Sequence, residues 1–257
     1  MEAVSIQFVA NSGVFVKYRG LSFLIDGIFG NNPYFTPPIK EIKKAVFGMN
    51  SPFRDVDFLL FTHRHTDHFS AVYADEYAAN NRIRGLFVPR AGTDPHSYLE
   101  DQRPLPKAEA KGILYEIYLQ VGERLCIPLA DECSVTFMCS RHLDWKTYAT
   151  VVHCSILLTL GTKQFLFAAD ADGSPENREL FCNLGSLTAI FVTPLFFVHP
   201  DGRHLLEAIH PETAVLYHIP FKADDVTGLR PMVERELQGE YSYHLKALTE
   251  PGQTLFF

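Results

Sequence analysis

Residues 58–68 read Phe58-Leu59-Leu60-Phe61-Thr62-His63-Arg64-His65-Thr66-Asp67-His68. An apolar run with the length of a buried strand ends in three histidines and an aspartate within six residues. With 11 histidines and 14 aspartates in 257 residues, chance places such a cluster in about one chain in a thousand. Imidazole and carboxylate are the usual zinc ligands where cysteine is not used. Side chains alternate along extended backbone, so His63 and His65 face one side, and Asp67 and His68 follow the turn toward a second point. Four ligands are too many for one catalytic ion that keeps an open position; two ions sharing a bridge fit better. The plain alternative is a solvated histidine-rich loop, against which the apolar strand leading into the cluster argues.

Two ions need further ligands from elsewhere. The chain repeats the same grammar three times: an apolar strand, then a ligand type. Residues 135–141 lead to His142, residues 165–169 to Asp170, and residues 214–217 to His218. Ligand sites lie at the carboxyl ends of strands in α/β sheets. Each signal alone reads as a hydrogen-bonded rim residue; beside the cluster at 63–68 they read as one set.

Working outward, residues 4–9, 14–18 and 21–25 have strand character, with Arg19-Gly20 as the turn between the last two. Residues 29–38 are turn chemistry and predict a long loop. Strands are expected at 57–61 and 86–88, with a helix over 69–79 between them, closed by Asn80-Asn81. Residues 91–111, with three prolines and four carboxylates, predict an exposed loop with one or two helical turns. Strands follow at 116–121, 124–128 and 134–140, and a hairpin over 153–160 and 164–169 across Gly161-Thr162. A helix over 175–183 takes Ser174 as its N-cap and Pro175 at its first position. Strands at 188–193 and 214–217 flank a helix around 205–209. Asp224 or Asp225 can cap a helix reaching Leu237, and a short strand lies near Leu245 or over 254–257. Strands dominate the first half and alternate with helices in the second, which predicts an α/β or α+β fold.

Composition bounds the rest. Hydrophobic residues make up 47% and charged residues 21%, which excludes disordered and fibrous classes. No linker or low-complexity tract divides the chain, so a single domain over 1–257 is expected. The net charge of -7 argues against a nucleic-acid binder, whose phosphate affinity comes from Lys and Arg. The N-terminus has no secretory pattern, and the longest apolar stretch, 187–198, is too short to span a bilayer. The five cysteines Cys126, Cys133, Cys139, Cys154 and Cys182 show no C-x-x-C pair and read as reduced thiols of a cytoplasmic protein.

His63, His65, Asp67 and His68 match H-x-H-x-D-H, and with them the chain resembles the metallo-β-lactamase superfamily. Leu24-Ile25-Asp26-Gly27 resembles that family's early strand ending in Asp, Phe167-Ala168-Ala169-Asp170 its later strand ending in Gly-Asp, and residues 214–220 its last histidine motif. Residues 190–194, followed by a helix and 214–218, are most similar to the compact branch of ascorbate-phosphate lactonases and N-acylphosphatidylethanolamine phospholipases. The resemblance implies a four-layer αββα sandwich. It assigns His63, His65 and His142 to one metal, Asp67, His68 and His218 to the other, and Asp170 to the bridge, with Asp26 behind them orienting a ligand or the loop. Two departures leave alternatives. The usual glycine is Ala169, and Asp172 lies two residues on; Asp170 is favoured because it directly follows the strand. The third histidine of the first metal is His142 or His153, the latter reading better as a core histidine with one backbone partner.

The implied activity is metal-dependent hydrolysis, by a hydroxide bridging two divalent ions, of an ester, lactone, amide or phosphodiester in a small molecule. Zinc is the expected metal, with manganese or iron as alternatives. Asp67 or Asp170 is the candidate proton carrier. Arg64 either faces the substrate or points into the structure. Phe29, Tyr34 and Phe35 belong to a loop that can cover the site, and Arg141, Asp144 and Lys222 adjoin ligands as candidates for holding an anion. His96, His199, His204, His210 and His244 stand in polar contexts and are expected to be exposed. No G-x-S-x-G elbow is present. Competing readings are a di-iron redox protein of the same fold, whose members typically carry Glu at the position of His65, and a non-catalytic metal-binding protein. A homo-oligomer is compatible with the sequence.

Overall fold

The computed structural model describes residues 3–32, 38–93 and 99–257. Packing divides the chain into two compact units, Met1–Tyr118 with Glu250–Phe257, and Leu119–Thr249.

The first unit opens with an antiparallel meander of β1 (Ser5–Ala10), β2 (Gly13–Tyr18) and β3 (Leu21–Ile25). Arg19 and Gly20 both adopt positive φ, 48° and 78°, the twist that a two-residue hairpin requires. The chain then switches to parallel crossovers. Helix α1 (Lys40–Val46) leads to β4 (Phe58–Leu60), α2 (Ala71–Asn80) to β5 (Gly85–Pro89), and α3 (Pro106–Ala110) to β6 (Leu114–Ile117). A C-terminal strand, Thr254–Phe256, pairs antiparallel with β1. One core of this unit joins Val9, Phe15, Leu24, Leu59 and Leu86 of the sheet to Ile42, Val46, Ala74, Tyr77 and Ala108 of the helices. Ser70 caps α2 by accepting from the Tyr73 amide.

The second unit repeats this plan. β7 (Arg124–Ala130), β8 (Cys133–Cys139), β9 (Cys154–Leu160) and β10 (Lys163–Ala169) form the meander. Parallel strands follow: β11 (Ala189–Val192), β12 (Thr213–Leu216) and β13 (His244–Ala247). Between them run α4 (Pro175–Cys182), α5 (Pro194–Val198), α6 (Pro200–Ile209) and α7 (Leu229–Glu236). Leu166, Ile190, Ala214 and Leu216 pack on Leu180, Phe181, Leu205, Leu206 and Val233 of the helices. Ser174 caps α4, with Pro175 in its first turn, as the sequence predicts.

Several expectations shift. Strand β6 lies upstream of the expected 116–121, because Ile113 and Leu114 pack on the core while Tyr118 and Val121 are exposed. Helices α1 and α5 were not expected; α5 hides inside an apolar run that also contains β11. Both C-terminal strands form. Asp225 does cap α7, but from before Gly228, accepting from the Leu229 and Arg230 amides. The segment before α3 is not wholly exposed: Glu100 and Asp101 are buried. Asp101 accepts from the Ala71 amide and pairs with Arg103, which outweighs its burial and holds its carboxyl below the usual range.

Candidate metal centre

In the first unit, β4 ends one residue before Phe61, and the backbone turns at once. The fixed point is Asp26, fully buried just beyond β3, at φ 48°. Its Oδ1 accepts from the Thr62 amide at 2.9 Å, and its Oδ2 accepts from the Thr62 hydroxyl at 2.6 Å and His68 Nδ1 at 2.9 Å. Since the Thr62 hydroxyl donates to Asp26, its oxygen accepts from His63 Nδ1, 3.0 Å away. One carboxylate thus fixes two imidazoles, His68 directly and His63 through Thr62. Both carry their proton on Nδ1 and turn an Nε2 lone pair outward, the form that binds a metal.

The turn itself is tight. The His68 and Phe69 amides both donate to the His65 carbonyl. The His63 ring lies 4.6 Å from that of His65 and 4.1 Å from that of His68, centroid to centroid. His63 and His65 offer ligand atoms within 4.8 Å of each other, and His68 Nε2 lies 3.9 Å from Asp67 Oδ2. Asn11, at the tip between β1 and β2, donates to the Asp67 carbonyl. A cavity of about 450 Å³ adjoins the turn, lined by Thr66, Glu100, Asp101, Gln102 and Arg103.

Arg64, alternating with the ligands, points into the structure. It is buried and donates to the Pro89, Asp101 and Arg103 carbonyls and, at 3.0 Å, to Glu116. Burial lowers its pKa, and Glu116, Glu100 and Asp101 pull it back up.

In the second unit, three strand ends deliver His142, Asp170 and His218. Asp170 divides its carboxylate between them: Oδ2 lies 3.5 Å from His142 Nε2, and Oδ1 lies 3.5 Å from His218 Nε2. His142 donates from Nδ1 to the Leu143 carbonyl, which leaves its Nε2 lone pair facing the carboxylate. Ligand bonds of 2.0–2.2 Å in a tetrahedron put neighbouring ligand atoms about 3.4 Å apart. Each His–Asp pair therefore has the spacing of two ligands on one ion, and the carboxylate has the arrangement of a bridge.

The architecture is shared with solved structures. YhfI from Bacillus subtilis, a metallo-β-lactamase fold protein, matches 99% of this chain and 100% of its own with a TM-score of 0.64 at 15% identity. The chain has the metallo-β-lactamase fold. Igni18, a metallo hydrolase from the archaeon Ignicoccus hospitalis, matches 99% of this chain and 98% of its own, TM-score 0.64, at 17% identity. CmlA, a diiron β-hydroxylase from Streptomyces venezuelae, matches with a TM-score of 0.62 at 16% identity; this chain spans 54% of its length. Identities this low speak for the fold alone. No protein-family model matches the sequence, and no curated protein matches it.

Placed on the metallo-β-lactamase fold, the remaining candidates separate. His153 is fully buried; Nε2 accepts from the Asp170 amide and Nδ1 faces Ser140, so it serves the backbone, as expected. Asp172 is occupied at the start of α4, accepting from the Ser174 amide and Asn177. Arg141 pairs with Glu176 at 3.0 Å and lies over the Trp145 ring, and Lys222 is exposed. Asp144, at φ 53°, accepts through its carbonyl from the Thr147 and Tyr148 amides in a local turn. Phe29 is buried. Tyr34, Phe35 and His96 lie outside the described residues. His199, His204, His210 and His244 are exposed, as expected. Sequence reasoning missed Thr62, Ser140, Ser155 and Tyr217. Thr62 alone carried a signal, by standing directly before His63 with a hydroxyl.

Proposed function

We propose that the protein is a metal-dependent hydrolase. In this reading His63, His65, His142 and Asp170 hold one divalent cation, and Asp67, His68, Asp170 and His218 hold a second. All of 1–257 then works as one catalytic domain. The observation that carries the reading is the divided carboxylate of Asp170, one oxygen toward each of two histidines at 3.5 Å. Its complement is a turn in which Asp26 and Thr62 aim two imidazoles by fixing their tautomers. The donor set is nitrogen and oxygen with no thiolate, which suits zinc and also accepts manganese or iron. A cation pair held there supplies Lewis acidity and lowers the pKa of water to about 7.

The chain's own groups do the rest. Asp26, Thr62 and the Leu143 carbonyl engage Nδ1 of His68, His63 and His142 and so fix the orientation of their Nε2 atoms. The side chains of Asp67 and Asp170 stay 14% and 15% exposed, so they are the carboxylates positioned to move a proton. The substrate is a small molecule with an ester, lactone, amide or phosphodiester bond.

The test is metal analysis of the purified protein with a panel of those four bond classes. The expected result is two equivalents of metal, hydrolysis of at least one class, loss on chelation and recovery with zinc. Asp170→Asn should cost at least 1000-fold in kcat/KM. A second reading follows from the likeness to a diiron β-hydroxylase, since the same donors take iron. Bound iron, no hydrolysis, and oxygen consumption with a reductant would replace the first reading by that one.

A further inference from the structure

Asp170 divides its oxygens between two histidines only if the backbone at the end of β10 bends correctly. The bend is at Ala169, whose φ is +50°. Glycine adopts that region freely, whereas alanine has a Cβ that crowds the following carbonyl oxygen. The bend therefore needs holding, and buried side chains grip the polar backbone on both sides of it. The Ala168 carbonyl accepts from Ser155 Oγ at 3.1 Å. The Ala169 amide donates to the Tyr217 hydroxyl at 3.2 Å, and the Asp170 amide donates to His153 Nε2 at 3.1 Å.

The hydrogens in this network have one consistent assignment. An amide can only donate, so His153 Nε2 accepts, and the neutral ring carries its proton on Nδ1. That proton goes to Ser140 Oγ, 2.9 Å away. Ser140 Oγ also accepts from the Ser155 amide at 3.1 Å, which uses both its lone pairs, so its own hydrogen goes to Ser155 Oγ at 2.8 Å. Ser155 then donates to Ala168. The relay runs from the Asp170 amide, through His153, Ser140 and Ser155, to the Ala168 carbonyl, and so closes around the bend. His153, Ser155, Tyr217 and Ser140 are at most 2% exposed, so water does not compete for these bonds.

We propose that His153 is the positioning residue for Asp170: with Ser140 and Ser155 it locks the left-handed bend at Ala169, so that one carboxylate oxygen faces His142 and the other His218. This rests on the reading of Asp170 as the bridging ligand. His153 binds no metal itself, because Nε2 is committed to the backbone.

The test compares zinc affinity, by chelator competition on the full-length protein, among wild type, His153→Leu, His153→Gln and Ser140→Ala. The cobalt-substituted visible spectrum reports the ligand field in each, and urea unfolding of the metal-free forms reports the fold. Wild type should bind two equivalents. His153→Leu should bind both at least 10-fold more weakly with an altered cobalt spectrum. His153→Gln, whose amide oxygen can accept from the Asp170 amide, should recover most of that loss. Should His153→Leu not fold, Ser140→Ala removes the relay and keeps the ring, with an expected loss of about 3-fold. Wild-type affinity in a folded His153→Leu or Ser140→Ala, or no recovery in a folded His153→Gln, overturns the proposal while the metal centre stands. A wild type that binds no metal overturns both.

Discussion

The two units use one strand plan, and they differ by one residue at the point that matters. In each, the last strand of the meander ends in a left-handed residue beside an aspartate. In the first unit the left-handed residue is Asp26 itself, directly after β3, at φ 48°; in the second it is Ala169, the last residue of β10, at φ 50°, and the aspartate follows. The single-residue offset separates two fates for the carboxylate. Asp26 turns inward and holds histidines. Asp170 keeps an exposed edge and is itself held by a histidine. Carboxylate and imidazole have exchanged the roles of presenter and support. The lesson is that a strand ending in Asp does not say which role its carboxylate takes; the residue in the left-handed bend does.

The comparison breaks first at Asp26. Asp26→Ala strands the Thr62 amide, the Thr62 hydroxyl and His68 Nδ1 in a site with no exposure. Each unsatisfied buried donor costs about 1–3 kcal/mol, so the metal-free protein should lose roughly 4 kcal/mol in urea unfolding. Asp26→Asn keeps an acceptor for the Thr62 amide but offers His68 an N–H in place of an oxygen. It should cost less stability, while zinc affinity falls about 10–100-fold. If Asp26→Asn binds zinc as wild type does, support from behind is not what aims the first unit's ligands.

Arg64 is the second point of contrast. It threads between two proposed ligands and fastens their turn to three carbonyls and Glu116, whereas Arg141, beside His142 in the second unit, is held by the side chains of Glu176 and Asp172. Arg64→Ala leaves the Pro89 and Asp101 carbonyls buried without this donor, an expected loss of about 3 kcal/mol. Lysine should not restore it, because a single ammonium cannot span the fork. Unchanged stability with a raised KM would instead make Arg64 a substrate contact.

The same contrast explains what the sequence reveals. His63, His65, Asp67 and His68 are legible because one turn carries them, so composition alone marks the cluster as improbable. His142, Asp170 and His218 are legible only as strand ends, and only beside that cluster. Their supports are not: Ser140, Ser155 and Tyr217 come from different strand ends, and nothing in a serine's sequence neighbourhood says that its hydroxyl will meet a histidine across a ladder. The helices separate in the same way. α4 is legible from Ser174 and Pro175 at its start, and α2 from a helix-suited run closed by Asn80-Asn81, although Ser70, inside that expected helix, is its cap. α1 has Ile42, Ala45 and Val46 at helical spacing but no side-chain cap to mark its start, and α5 is five residues long inside an apolar run. Glu100 and Asp101 were expected outside because charge is visible in a sequence and the partners that let it be buried are not.

The finest test of the offset is Ala169→Gly. Relief of the left-handed strain is worth about 1 kcal/mol. Loss of a fully buried methyl costs about 0.8 kcal/mol, and glycine's extra freedom when unfolded costs a similar amount. The substitution alone should therefore move stability by less than about 1 kcal/mol. Its information lies in combination. If His153 and its serines hold a bend that alanine resists, glycine reduces the need for them. In a double-mutant cycle, His153→Leu should then weaken zinc binding about 5-fold less in the glycine background, a coupling of about 1 kcal/mol. The control is Asp26, where the left-handed residue is an aspartate, a type that tolerates that region. There the carboxylate contacts, not backbone strain, dominate, so Asp26→Gly should be no milder than Asp26→Ala. Additivity at Ala169 within about 0.4 kcal/mol would mean that the clasp and the bend are independent, and that the second unit aims its carboxylate by packing alone.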